Sequence, residues 1–211
     1  MRNNETKIIF ILDRSGSMCG LEQETIGGFN SLIEKQKGED GKAFVTTVLF
    51  DTEMDIIHNH KCINDISRLT SKQYYPRGAT ALLDAVGSTI LNEKRRIDKK
   101  ESTPSRTLVI ITTDGYENAS KEFTYQDIKT LITKQKEIYD WEFLFLGANI
   151  DSEIEASKFG ICKERTVNYH ADRKGMKVHY DELAKTVSHY RTHNKIDDNW
   201  NMAIREDYKG R

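Results

Sequence analysis

A chain of 211 residues, 37% of them hydrophobic, is long enough to bury one sizeable α/β core, and no more than one such domain is expected. Its 32 basic and 33 acidic residues leave a net charge of −1, which argues against a general nucleic-acid binder, normally clearly basic. No apolar run approaches membrane-spanning length, and Met1 to Thr6 lack the apolar core of a signal peptide, so a cytoplasmic protein without membrane contact is expected. The three cysteines (Cys19, Cys62 and Cys162) are odd in number and scattered, which suits reduced thiols better than a disulfide framework.

Ile8 to Leu12 is a continuous apolar run rich in β-branched residues, the pattern of a strand buried on both faces. It stops on Asp13-Arg14-Ser15-Gly16-Ser17-Met18, where a carboxylate and two hydroxyls are spaced Asp-x-Ser-x-Ser and Gly16 lets the loop turn tightly. Leu21 to Lys37 is predicted helical, with Ile26, Phe29 and Ile33 on one stripe. Gly27-Gly28 inside it costs roughly 1 kcal/mol per glycine relative to alanine, which close packing would offset, and that side is expected to lie against the first strands. Ala43 to Phe50 and Met54 to His60 are strands whose short connector, Asp51-Thr52-Glu53, demands an antiparallel hairpin. Asn64 to Ser71 is read as a short helical piece.

Tyr74 to Ala79 is irregular and leads to Thr80; Leu82, Leu83, Val86 and Ile90 then mark a core-facing helix. It ends in Glu93-Lys94-Arg95-Arg96 and Asp98-Lys99-Lys100-Glu101, a charged patch that complements the negative end of the helix dipole. Thr107 to Thr113 repeats the opening pattern and stops on Asp114-Gly115. Further on, Ile128, Leu131, Ile132 and Ile138 share a helical face, Trp141 to Leu146 forms a fifth strand, and Asp151 to Phe159 a short helix. Arg165 to Tyr169 is a sixth strand, and Met176, Tyr180, Leu183, Val187 and Tyr190 recur at helical spacing. Strands alternating with helices imply a mostly parallel sheet covered on both faces, and right-handed crossovers allow strands one and four to lie side by side. The gap between them is then the switch point where open α/β sheets bind ligands.

Asp13, Ser15, Ser17, Thr80 and Asp114 would converge there. The set is all oxygen, with two carboxylates and no sulfur or imidazole, and suits a hard cation such as Mg²⁺ or Mn²⁺ rather than zinc. Two carboxylates balance the ion's charge while hydroxyls donate little, which leaves it electrophilic toward an anionic oxygen from outside. Without metal, two like charges a few Å apart repel by roughly 4 kcal/mol at an effective dielectric near 20, so cation binding should stabilise the fold.

Asp13 to Met18, Gly78-Ala79-Thr80-Ala81 and Thr112-Thr113-Asp114-Gly115, in that order and on those elements, resemble the metal-ion-dependent adhesion site of the von Willebrand factor type A domain. The resemblance covers residues 5 to 195 and leaves 196 to 211 as a polar C-terminal tail. It implies an α/β, doubly wound, Rossmann-like sheet of six strands in the order 3-2-1-4-5-6, mostly parallel with strand 3 antiparallel and helices on both faces. It implies metal ligation by Asp13, Ser15, Ser17, Thr80 and Asp114, and metal-dependent binding of a protein that presents Asp or Glu, without catalysis. The absence of a secretion signal fits the intracellular bacterial members of that family better than extracellular adhesion.

Asp51, Tyr74, Tyr75, Arg77, Tyr116 and Glu117 lie on loops at the same edge and are expected to rim the site, where aromatic and arginine side chains would suit a protein interface. His58 and His60 alternate on a strand and His189 and His193 are one helical turn apart, but neither pair has further zinc ligands nearby. Cys19 is expected to be a small buried residue. The alternative function is a metal-dependent hydrolase or phosphate-binding enzyme, since a Ser-Gly-Ser loop at a helix N-terminus can attract phosphate. That reading needs a general base or activated nucleophile beside the metal, and no histidine or lysine falls in the ligand loops.

Overall fold

In β1, Glu5–Asp13, alternate side chains feed two different cores. Ile8, Phe10 and Leu12 enter one and Ile9 and Ile11 the other, as the period of two along a strand requires. The computed structural model describes residues 5–99 and 106–211. Met1 to Asn4 of the N-terminal reading, and Lys100 and Glu101 of the charged patch, lie outside the described residues.

β1 pairs in parallel with β2, Lys42–Phe50, on one side and β4, Arg106–Thr113, on the other. β3, Met54–Cys62, runs antiparallel to β2, and β5, Glu142–Gly147, and β6, Thr166–Asn168, extend the sheet in parallel beyond β4. The six-stranded order is β3-β2-β1-β4-β5-β6, the order the resemblance implies. Helices α1, Glu22–Lys37, and α5, Arg173–His193, cover one face, and α2, Leu82–Asp98, α3, Tyr125–Tyr139, and α4, Ser152–Lys158, cover the other. No helix among the described residues is long and apolar enough to cross a membrane.

Several expectations are corrected. Gly28 faces α5 rather than the first strands: a Cβ there would lie 2.1 Å from the ring of Tyr180, while one on Gly27 would meet nothing within 4 Å. The helical piece at Asn64 to Ser71 shrinks to a single 3-10 turn, Ile63–Asp65. Ile138 is 59% exposed because Gln135 and Tyr139, not Ile138, continue the inward stripe of α3 from Ile128 and Ile132. Residues 196 to 211 do not trail as a polar tail. They carry a sixth helix, α6, Met202–Lys209, and bury Ile196, Trp200 and Ile204 in the core of the α1–α5 face. Ile204 lies on α6, and Ile196 and Trp200 lie in the connection ahead of it, so three apolar residues suffice to dock a charged stretch.

Two further side-chain placements differ. Cys19 is exposed. His58 and His60 do not share a face: a bulge shifts the β2–β3 register around Thr47, and His60 adopts a left-handed conformation with φ 47°. His58 therefore packs beside Phe29 and Thr47, and His60 stacks on Phe44, whose neighbours alternate to the other side of β2.

Candidate metal centre

The first candidate ligand, Asp13, stands at the end of β1. Leu12 pairs with Thr112, so Asp13 lies opposite Thr113 at the carboxyl end of the two central strands. Thr113 Oγ1 donates to Asp13 Oδ2 at 2.6 Å, and the Ser15 N–H donates to Asp13 Oδ1 at 2.6 Å. The second of these bonds folds the chain back into the 3-10 turn Gly16–Met18. Ser15 Oγ and Ser17 Oγ are 3.1 Å apart, and Ser17 Oγ donates to Asp114 Oδ1 at 2.5 Å. Thr80 is held by a reciprocal pair of bonds with Asn118: its N–H donates to Asn118 Oδ1 at 2.9 Å, and its carbonyl accepts from the Asn118 N–H at 3.1 Å. A Cβ on Gly115 would lie 3.6 Å from Thr80 Oγ1 and 3.7 Å from Ser17 Oγ, so both hydroxyls face the same glycine. All five residues thus meet in one cluster, buried except at Ser17.

Close backbone contacts bring the loops together. Gly16 N–H donates to the Gly78 carbonyl at 3.1 Å, and Arg77 N–H donates to the Arg14 carbonyl at 2.9 Å. Gly78 has φ +65°, and a Cβ there would lie 2.6 Å from Thr52 Oγ1, so both backbone and space require glycine.

Burial dominates the electrostatics. It pushes the Asp13 carboxyl up to about 6 despite the hydrogen bonds from Thr113 and Ser15, with the nearby Asp114 charge adding to the rise. Burial raises Asp114 as well, against the hydrogen bond from Ser17. Among the described residues no cationic side chain is seen to stabilise either carboxylate. Two desolvated acids and three hydroxyls form an all-oxygen donor set that fits a hard divalent ion. Among the described residues no group of three or more His, Cys, Asp or Glu is placed to hold a metal ion, so an ion in this cluster would depend on the hydroxyls as well as on the two carboxylates.

The expected rim divides. Tyr75, 43% exposed, and Tyr116, 50% exposed, stand at the surface on loops either side of the cluster. Arg77 is half-buried beside Tyr75, its Nη1 donating to the Tyr75 hydroxyl at 3.1 Å. The other three turn inward. Tyr74 is wholly buried, and its hydroxyl donates to the Asp13 carbonyl at 2.6 Å, supporting the loop from beneath. Asp51 is buried and receives Nε–H bonds from Arg14 at 2.7 Å and Arg77 at 3.0 Å. Glu117 accepts from the N–H groups of Leu83, Ala119 and Ser120 at 2.7 to 2.9 Å, satisfying the start of α2.

Sequence reasoning passed over Thr113, Arg14 and Asn118. The first two lie inside the quoted motifs as apparent spacers; Asn118 has no signal, because its partner is thirty-eight positions away in the chain.

No family model and no curated protein matches this chain. Solved structures do. A von Willebrand factor type A structure from Catenulispora acidiphila superposes with a TM-score of 0.56 at 14% identity, over 87% of this chain and 42% of that one. The manganese-loaded TRAP protein of Plasmodium vivax gives 0.58 at 14% identity, over 84% and 73%. Proximal thread matrix protein 1 from the mussel byssus gives 0.60 at 16% identity, over 87% and 46%. The chain spans less than half the length of the first and the third. The fold is that of von Willebrand factor type A domains, a Rossmann-like sheet of order 3-2-1-4-5-6 with one antiparallel strand.

Proposed function

We propose that Asp13, Ser15, Ser17, Thr80 and Asp114 hold one divalent cation, Mg²⁺ or Mn²⁺, and that the chain is an adaptor whose partner protein completes the ion with an Asp or Glu side chain. One observation carries the reading: two buried carboxylates lie in a nest of hydroxyls with no cationic side chain among the described residues to compensate them. A bound ion supplies that charge and leaves an electrophilic position for an acidic oxygen. The likeness to a manganese-loaded protein of the same fold supports the choice of ion. Exposed Ser17, flanked by the exposed aromatics Tyr75 and Tyr116, gives a partner a way in and apolar surface to grip. A cytoplasmic setting belongs to the same proposal, on the ground that Cys19, Cys62 and Cys162 are all free thiols.

The hydrolase alternative receives less support. The groups bonded to Asp13 and Asp114 are hydroxyls and backbone N–H, and Thr113 Oγ1 spends its proton on Asp13 itself. The test is titration of the protein with Mn²⁺, followed by electron paramagnetic resonance of the free ion, and then addition of acetate or a Glu-containing peptide with water-proton relaxation as readout. One bound Mn²⁺ per chain and a loss of relaxivity on adding the acid are expected. No binding, or binding that Asp114→Ala leaves intact, would sink the proposal.

A further inference from the structure

Arg14 sits between the first two ligand positions and is the largest of the fully buried side chains, 1% exposed. A guanidinium buried next to a cation site is unfavourable twice over, through its own desolvation and through repulsion of the ion. The structure answers both. Asp13 and Ser15 face the cluster, and Arg14 between them faces away, into the β2–β3 hairpin. Its Nε–H donates to Asp51 Oδ2 at 2.7 Å, its Nη2 to Asp55 Oδ2 at 2.6 Å, and its Nη1 to the Gln73 carbonyl at 3.2 Å. The Tyr75 ring covers the same group, 5.7 Å from ring centre to guanidinium carbon. Its backbone is tied as well: the N–H donates to the Phe50 carbonyl at 2.8 Å, and the carbonyl accepts from Arg77 N–H at 2.9 Å.

We infer that Arg14 is the positioning residue of the ligand loop, clamping Asp13 and Ser15 at the spacing that a cation requires while Asp51 and Asp55 hold its own charge off the ion. This rests on the cation reading above. The three arms of the fork reach two carboxylates and a carbonyl on separate segments, the hairpin and the stretch before Tyr74. A lysine carries the same charge but a single nitrogen, and could serve only part of that set.

The experiment measures Mn²⁺ affinity by paramagnetic resonance at 25 °C, and the thermal midpoint in EDTA, for wild type, Arg14→Lys, Arg14→Met and the core variant Ile132→Ala. Arg14→Met is expected to bind Mn²⁺ at least about tenfold more weakly while still folded by circular dichroism, and Arg14→Lys to recover part of the loss. Ile132→Ala should lower the midpoint with wild-type affinity. If Arg14→Met lowers the midpoint but binds Mn²⁺ as tightly as wild type, the residue is only a structural tie and the inference fails alone. Failure of the wild type to bind Mn²⁺ would overturn the cation reading and this inference together. Should Arg14→Met not fold, Asp55→Asn removes one compensating charge from a half-exposed position. It is expected to weaken Mn²⁺ several-fold, and unchanged affinity would count against the inference equally.

Discussion

Thr113 and Asp13 close the gap between the two central strands with a single hydrogen bond, 2.6 Å from Oγ1 to Oδ2. The bond joins the ends of β1 and β4 at the switch point and supplies one of the few donors to a desolvated carboxylate. Thr113→Val keeps the shape and removes the donor. It is expected to destabilise the metal-free protein by about 1–3 kcal/mol, the range for a hydrogen bond to a charged or buried group. Chemical denaturation in EDTA measures this, and a change below about 0.5 kcal/mol would show that the bond contributes little.

Mg²⁺ should stabilise the fold by binding only the native state. At about one hundred times the dissociation constant the gain is about 2.7 kcal/mol, which for a domain of this size raises the melting midpoint by roughly 5–10 °C. Asp114→Ala should abolish the shift. Equal midpoints for wild type in Mg²⁺ and in EDTA would leave the site without an ion.

His179 governs an acid limb of stability. Its ring is buried between Tyr169 and Tyr180, neither nitrogen finds a hydrogen-bond partner among the described residues, and burial holds its pKa down to about 3. Between that value and the ordinary 6.5, only the unfolded chain takes up the proton. The contribution of His179 is therefore full above pH 6.5 and is lost as the solution is acidified, by at most about 1.4 kcal/mol per pH unit, while the raised Asp13 carboxyl acts in the opposite sense below about pH 6. His179→Leu should flatten that slope relative to wild type between pH 4 and 6.5 (roughly the window of the shift), as read from denaturation midpoints. Parallel slopes for the two proteins would mean that the histidine is not the group responsible.

The two glycines of α1 should respond in opposite senses to the same substitution. Gly27→Ala adds a methyl in open space and should stabilise by about 0.5–1 kcal/mol through helix propensity. Gly28→Ala drives a carbon to 2.1 Å from Tyr180 Cδ2 and should destabilise by roughly 1–3 kcal/mol. Thermal melting of both separates the two effects, and a stable Gly28→Ala would mean that α5 can move aside.

The sheet was legible because its strands announce themselves. The apolar runs of β1 and β4 end on aspartates, and the three-residue connector at Asp51 leaves only a hairpin. The five candidate ligands were picked out by their spacing, and the structure gathers them in one cluster. Side-chain direction was not legible. Tyr74 and Tyr75 are adjacent and chemically alike, yet one lies beneath Asp13 and the other in solvent, a difference set by the turn before them rather than by residue type. Glu117 reads as a surface acid, and only the fold shows it accepting the N–H of Leu83 at the start of α2. Residues 196 to 211 looked polar on average, and the average hid Ile196, Trp200 and Ile204, which pack against α5 and β6.

That last packing has a bearing on how the molecule behaves in a crowd. β6 has three residues and pairs with β5 along one margin, so its other margin would be a ready template for a stranger's backbone. Asn201 Nδ2 donates to the Thr166 carbonyl at 3.2 Å, and the Trp200 indole N–H reaches the Glu164 carbonyl at 2.8 Å, so the final helix is moored over that border. Proteolysis ahead of Trp200 would thus uncover a sticky seam. The nicked product should self-associate into β-rich aggregates while the intact chain stays dispersed.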